Sequence, residues 1–109
     1  MNTVAAVKIP LTISEADFQS AVIDLALFYH WRVCHFRPAR TAKGWRTPII
    51  GHKGFPDLVL AREGRVIIAE LKRQHAKIEP SQLIWQHHLG ALARAWRPSD
   101  WPEIAKELR

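Results

Sequence analysis

A single cysteine, Cys34, leaves this 109-residue chain without an internal disulfide or a multi-cysteine zinc site. Its five glycines are scattered and build no glycine-rich phosphate loop. No apolar run reaches the length needed to span a bilayer. The stretch MNTVAAVKIPLTIS lacks the basic start and long apolar core of a signal peptide, so a reducing cytoplasm is the expected compartment. Acidic residues are scarce: 10 Asp and Glu stand against 16 Lys and Arg, a formal charge of +6. That balance favours a polyanionic partner, nucleic acid being the commonest, over a protein that merely happens to be basic. The six histidines do not suggest zinc. His87 and His88 are adjacent and diverge on a helix, and no pair has the i, i+4 spacing of a zinc protease.

What is present fits one domain over residues 1–109, large enough for a single modest core. Ser14 in SEAD is a natural helix N-cap, with an acidic residue three positions on. Phe18, Val22, Leu25 and Tyr29, with Ala21 and Phe28 beside them, make an apolar stripe at helical spacing. Glu15 lies one step back along that stripe. It either complements the helix dipole or projects a carboxylate from the helix tip towards the interior. WRVCHFR, residues 31–37, reads as a strand. Residues 38–54 read as a long loop without one acidic side chain. Arg37, Arg40, Lys43, Arg46, His52 and Lys53 fall in or beside it and suit phosphate contacts. Trp45 among them either stacks on a base or pins the loop.

GFPDLVLAREGRVIIAELK, residues 54–72, reads as a hairpin. If Glu63 and Gly64 form a two-residue loop, paired positions sum to 127, and Asp57 lands opposite Glu70 with Cβ atoms roughly 5 Å apart. Both faces of the hairpin are apolar, which marks strands in the middle of a sheet. Glu63 is a poor residue for a type I′ turn, and a longer loop would shift this register. KRQHAKIEP follows as a basic connection. Pro80 fits the first turn of a second helix, with Gln82, Trp85 and Leu89 on one face. That helix either stops at Gly90, leaving ALARAW as a short strand, or continues to Trp96. A last helix follows, with Asp100 and Glu103 at capping spacing and Trp101, Ile104 and Leu108 on its apolar side.

Two facing carboxylates in a buried sheet repel, and a divalent cation with a preference for hard oxygen ligands relieves the repulsion. Asp57, Glu70, the main-chain carbonyl of Leu71 and water suit Mg²⁺ or Mn²⁺, with Glu15 adding a carboxylate directly or through water. Lys72 points to the same face as Glu70 and would orient an attacking water and offset developing charge. Such a site fits phosphodiester hydrolysis. The plainer alternatives are a Glu70–Lys72 edge-strand ion pair and Asp57 capping a turn after Pro56, in a basic DNA-binding module without catalysis.

GFPDLVL followed by AELK resembles the core motif of the PD-(D/E)xK nuclease superfamily. SEADFQSAVIDLALFYHW before it, HFRPARTAKGWRTPIIGHKG between, and PSQLIWQHHL and WRPSDW after it narrow the resemblance to the VRR-NUC family, from about Ser14 to the C-terminus. The resemblance implies an α/β fold with a restriction-endonuclease-like core, a mixed central β-sheet flanked by helices. It implies Mg²⁺- or Mn²⁺-dependent cleavage of DNA with Asp57 and Glu70 as metal ligands and Lys72 as the catalytic lysine. Glu15 matches the family's helix acid and Gln82 its glutamine near the active site. Stand-alone members are often phage-borne, which would place the protein in a host cytoplasm. They are similar to homodimeric resolvases of Holliday junctions and other branched DNA. Two features depart from the pattern. His30 stands where relatives often carry glycine, and the stretch from Trp85 to Trp96 is several residues short.

Overall fold

The computed structural model describes residues 8–36, 39–46 and 49–109, with backbone alone at 39–41 and 45–46. Helix α1 spans Glu15–Phe28, and its first turn is closed by the Asp17 N–H donating to Ser14 Oγ at 3.1 Å. The expected stripe is buried at Phe18, Val22 and Leu25. Phe28 departs from expectation: it is exposed, and Ala26 is buried instead. The reason lies in how α1 ends. The His30 N–H donates to Leu27 O and the Trp31 N–H to Ala26 O, which is a Schellman turn, and Trp31 folds into the core beside Ala26. His30 occupies the left-handed position of that turn, φ 68°, where glycine is the usual choice. Its side chain costs about 1–2 kcal/mol there.

Strand β1 (Arg32–His35) leads into residues expected to form a plain loop. Part of that segment is instead a hairpin, β2 (Ala39–Thr41) paired antiparallel with β3 (Gly44–Arg46), where Gly44 takes φ 100° after the turn. Strands β4 (Leu58–Arg62) and β5 (Arg65–Leu71) form the central hairpin. Glu63 and Gly64 both have positive φ, 51° and 83°, as a type I′ turn requires, so the two-residue loop holds despite Glu63. Arg62 faces Arg65 and Leu58 faces Ala69, the register expected from the sequence.

Helix α2 (Pro80–Leu89) ends at Gly90, φ 59°. A 3₁₀ turn, Gly90–Leu92, then delivers strand β6 (Ala93–Trp96). The stretch from Trp85 to Trp96 therefore does hold a strand. Helix α3 (Trp101–Leu108) closes the fold. Asp100 stands at the N-cap of α3 as its spacing suggests, but its side chain makes no capping bond to that helix. It accepts instead from the Arg97 N–H at 2.8 Å, closing the 3₁₀ turn Pro98–Asp100 before the helix.

The sheet runs β1-β4-β5-β6, antiparallel except for the parallel pair β5–β6, so the fold is mixed α/β. Leu58, Leu60, Ile67, Ala69 and Leu71 point to one face and are buried against α1 and α3. Each large side chain so buried contributes about 1.5–3 kcal/mol. Side chains of the alternate positions, Val59, Ile68 and Glu70, point to the other face. Among the described residues no helix is long and apolar enough to cross a membrane.

Candidate functional site

Asp57 stands one residue before β4, tied to the strands on both sides. Its carbonyl accepts from the Phe36 N–H at 3.0 Å, beyond the end of β1. Its Oδ2 accepts from the Leu71 N–H at 2.8 Å, a donor that β4 is too short to pair. Glu70 sits next to that donor on β5, 2 % exposed, the only charged side chain buried among the described residues. Asp57 and Glu70 lie within hydrogen-bonding reach of each other. The convergence expected from the hairpin arithmetic is present.

Burial above all, and then the Asp57 charge, push the Glu70 carboxyl up to about 8; the close approach of the Asp57 carboxyl and the Glu15 charge push the same way, and Lys72 opposes them. Gln82 Nε2 donates to Glu70 Oε1 at 2.9 Å, while Gln82 Oε1 accepts from the Glu79 N–H at 2.8 Å. Gln82 thus fixes one Glu70 oxygen from the first turn of α2. Glu70 Oε2 is buried without a hydrogen-bond partner among the described residues. A buried, unpaired carboxylate oxygen is costly and is relieved by a proton or a cation.

Glu15 is half-buried at the start of α1, and its charge reaches Glu70. Among the described residues no three His, Cys, Asp or Glu groups form a cluster that could hold a metal, so Glu15 is left with the water-mediated part of its expected role. Lys72 is half-buried and acts on Glu70 through its charge. No ion pair joins them among the described residues, and β5 is a central strand, so the edge-strand salt bridge is absent.

The segment before Asp57 is docked on α2. Trp85 Nε1 donates to the carbonyls of His52 and Lys53 at 3.2 and 3.0 Å. Phe55 packs edge-on between Phe36 and Trp85. Gly54 has φ 93°, and a Cβ there would lie 2.6 Å from the Ser81 backbone carbon. Gly54→Ala is therefore expected to displace this segment from α2 and to destabilise the protein by about 2 kcal/mol. Denaturant titration checks the loss, and a variant as stable as the parent would contradict the docking.

The cationic candidates divide. Lys43, His52 and Lys53 are exposed. Arg37 lies outside the described residues, as do the side chains of Arg40, Trp45 and Arg46. A second cationic run was not assigned a role from sequence: Arg73, His75 and Lys77, exposed and directly after Lys72. Arg97 Nη1 donates to the carbonyls of Arg73 and Gln74, and Gln74 exchanges two hydrogen bonds with Ser99. The run is thereby pinned through its backbone, with its cations outward. Its signal was legible in KRQHAK, whose charges have no acidic neighbour before Glu79.

Compared with protein-family models, with curated proteins and with solved structures, the chain matches none.

Proposed function

We propose that the protein is a metal-dependent endonuclease of the PD-(D/E)xK type, similar to the VRR-NUC family, hydrolysing phosphodiester bonds of DNA with branched DNA as favoured substrate. The observation that carries this reading is the buried Asp57–Glu70 pair with its orphaned Oε2. Asp57 keeps Oδ1 free of hydrogen bonds among the described residues, and Glu70 keeps Oε2. Hard oxygens so arranged suit Mg²⁺ or Mn²⁺, which needs only one or two protein carboxylates beside water and phosphate. Asp57, Glu70 and the Leu71 carbonyl would hold the ion, with Glu15 acting through water. When bound, the ion polarises the phosphodiester, eases ionisation of the attacking water and offsets transition-state charge. Gln82 keeps Glu70 turned so that Oε2 stays available. Lys72 orients the water, while Lys43, His52 and Lys53 on one cationic segment and Arg73 and Lys77 on the other carry flanking phosphates. A homodimer would present two such sites to paired strands of a junction.

One observation favours the rival reading, a DNA-binding module without catalysis: the carboxylates number two close together, not three. Incubation with junction, flap and duplex DNA, with and without Mg²⁺, separates the two. The nuclease reading expects cleavage only with metal, and a melting temperature that rises with Mg²⁺ or Mn²⁺. Intact DNA in every reaction and a flat melting response would leave the binding module.

A further inference from the structure

A cavity of about 630 Å³ opens at the tip of the β4–β5 hairpin, the opposite end of β5 from Glu70. Arg32, Arg62, Arg65 and Arg109 line it, together with Tyr29 and a single acidic side chain, Glu63. The cations are gathered by register: Arg62 stands directly opposite Arg65, and Arg32 pairs with Ala61 beside them. Like charges directly opposite in a hairpin are destabilising unless something else satisfies them.

Neighbouring groups neutralise little of this charge. Arg62 donates to three main-chain oxygens, of Tyr29 at 2.9 Å, Leu108 at 3.0 Å and Arg109 at 3.3 Å, which closes the ends of α1 and α3. Arg62 and Arg65 lie over the Trp31 ring, 4.5 and 5.5 Å from its centre. Arg65 reaches Glu107 only at 3.6 Å, whereas Arg94 holds that carboxylate at 2.7 Å. The Arg32 side chain makes no hydrogen bond or ion pair among the described residues and is exposed. Arg109 is exposed as well.

We infer that this cavity is a second phosphate-binding site, taking phosphate oxyanions of a nucleic-acid strand on Arg32, Arg65 and Arg109 above a platform of Arg62 and Trp31. Guanidinium forks match phosphate oxygens in pairs, and the volume is of the size that holds a nucleotide. Five strand steps separate Arg65 from Glu70, roughly 17 Å. That is about five nucleotide steps of a stacked strand, so the site holds a part of the nucleic acid other than the bond at the carboxylates. The inference extends the nuclease reading without depending on it, because binding here requires no metal.

The test is fluorescence anisotropy of a labelled four-way junction and a labelled single strand, in EDTA, across a salt titration. The intact protein is compared with Arg32→Ala/Arg65→Ala and with Arg32→Glu, melting curves confirming that each variant folds. Arg32 has no partner to lose among the described residues, so Arg32→Glu decides the matter if the double variant does not fold. DNA binding is expected to weaken about tenfold or more in the double variant, with the slope of log affinity against log salt shallower by about 2. A parallel arm adds inorganic phosphate alone. Phosphate that raises the melting of the intact protein but not of the variants, with DNA binding unchanged, would identify a free phosphate group as the ligand. Folded variants that match the intact protein in both arms overturn the site. Cleavage enters neither arm, so failure here is distinct from failure of the nuclease reading.

Discussion

On the nuclease reading, Asp57→Asn is expected to lower metal-dependent DNA cleavage by about a hundredfold to a thousandfold, the scale on which loss of a single charge-stabilising group acts in a preorganised site. The substitution is chosen for what it spares. Asp57 Oδ2 accepts from the Leu71 N–H, and an asparagine carbonyl oxygen can continue to do so. Alanine would lose that bond as well as the charge, mixing a structural cost with a catalytic one. Lys72→Ala separates the roles further. It should reduce cleavage comparably while leaving the rise of melting temperature with Mg²⁺ intact, because an ammonium group is not a ligand. Gln82→Ala frees Glu70 Oε1 and should act more mildly, about 10–100-fold, as loss of a supporting hydrogen bond does. Single-turnover cleavage of a junction substrate measures all three. Wild-type cleavage by Asp57→Asn would remove the carboxylate pair from the mechanism.

The pair was legible in the sequence because a two-residue turn converts chain position into spatial position. Once Glu63 and Gly64 make the turn, every partner across the hairpin follows by subtraction, from Arg62 with Arg65 to Leu58 with Ala69, and Asp57 and Glu70 come one step beyond. Gln82 was legible only through the family resemblance, since nothing local ties a residue on α2 to one on β5. Phe28 misled because helical periodicity does not say where a helix stops being covered. The Schellman turn at His30 sends the chain back over Ala26 and leaves Phe28 outside. The β2–β3 hairpin was missed for a different reason: ARTAKGWR shows no alternation of apolar and polar residues to mark strands. The docking of residues 52–55 on Trp85 joins segments about thirty positions apart and has no local signature. Glu15 was legible at the helix tip from the Ser14 cap, and its charge does reach Glu70, but sequence spacing could not say how closely.

Stability without metal is expected to fall as pH rises, the reverse of the usual carboxylate behaviour. Glu70 has a folded-state value of about 8 against an ordinary 4.5. Below 4.5 the proton is held in both folded and unfolded chains. Between the two values only the folded chain holds it, so each further pH unit removes stability. The proton-linked stabilisation is thus complete below the unfolded value and is lost as pH climbs through the folded one. The slope is about 1.4 kcal/mol per pH unit, of order a few kcal/mol across the window. Melting in EDTA should therefore decline from about pH 5 to about pH 8 in the parent. Glu70→Gln, neutral throughout and still able to accept from Gln82, should flatten that decline. A divalent ion competes with the same proton, so Mg²⁺ should raise melting most at the alkaline end of the range and not at all in Glu70→Gln. Parallel pH profiles for the parent and Glu70→Gln would mean that Glu70 holds no extra proton, and that the buried pair tolerates both charges unaided.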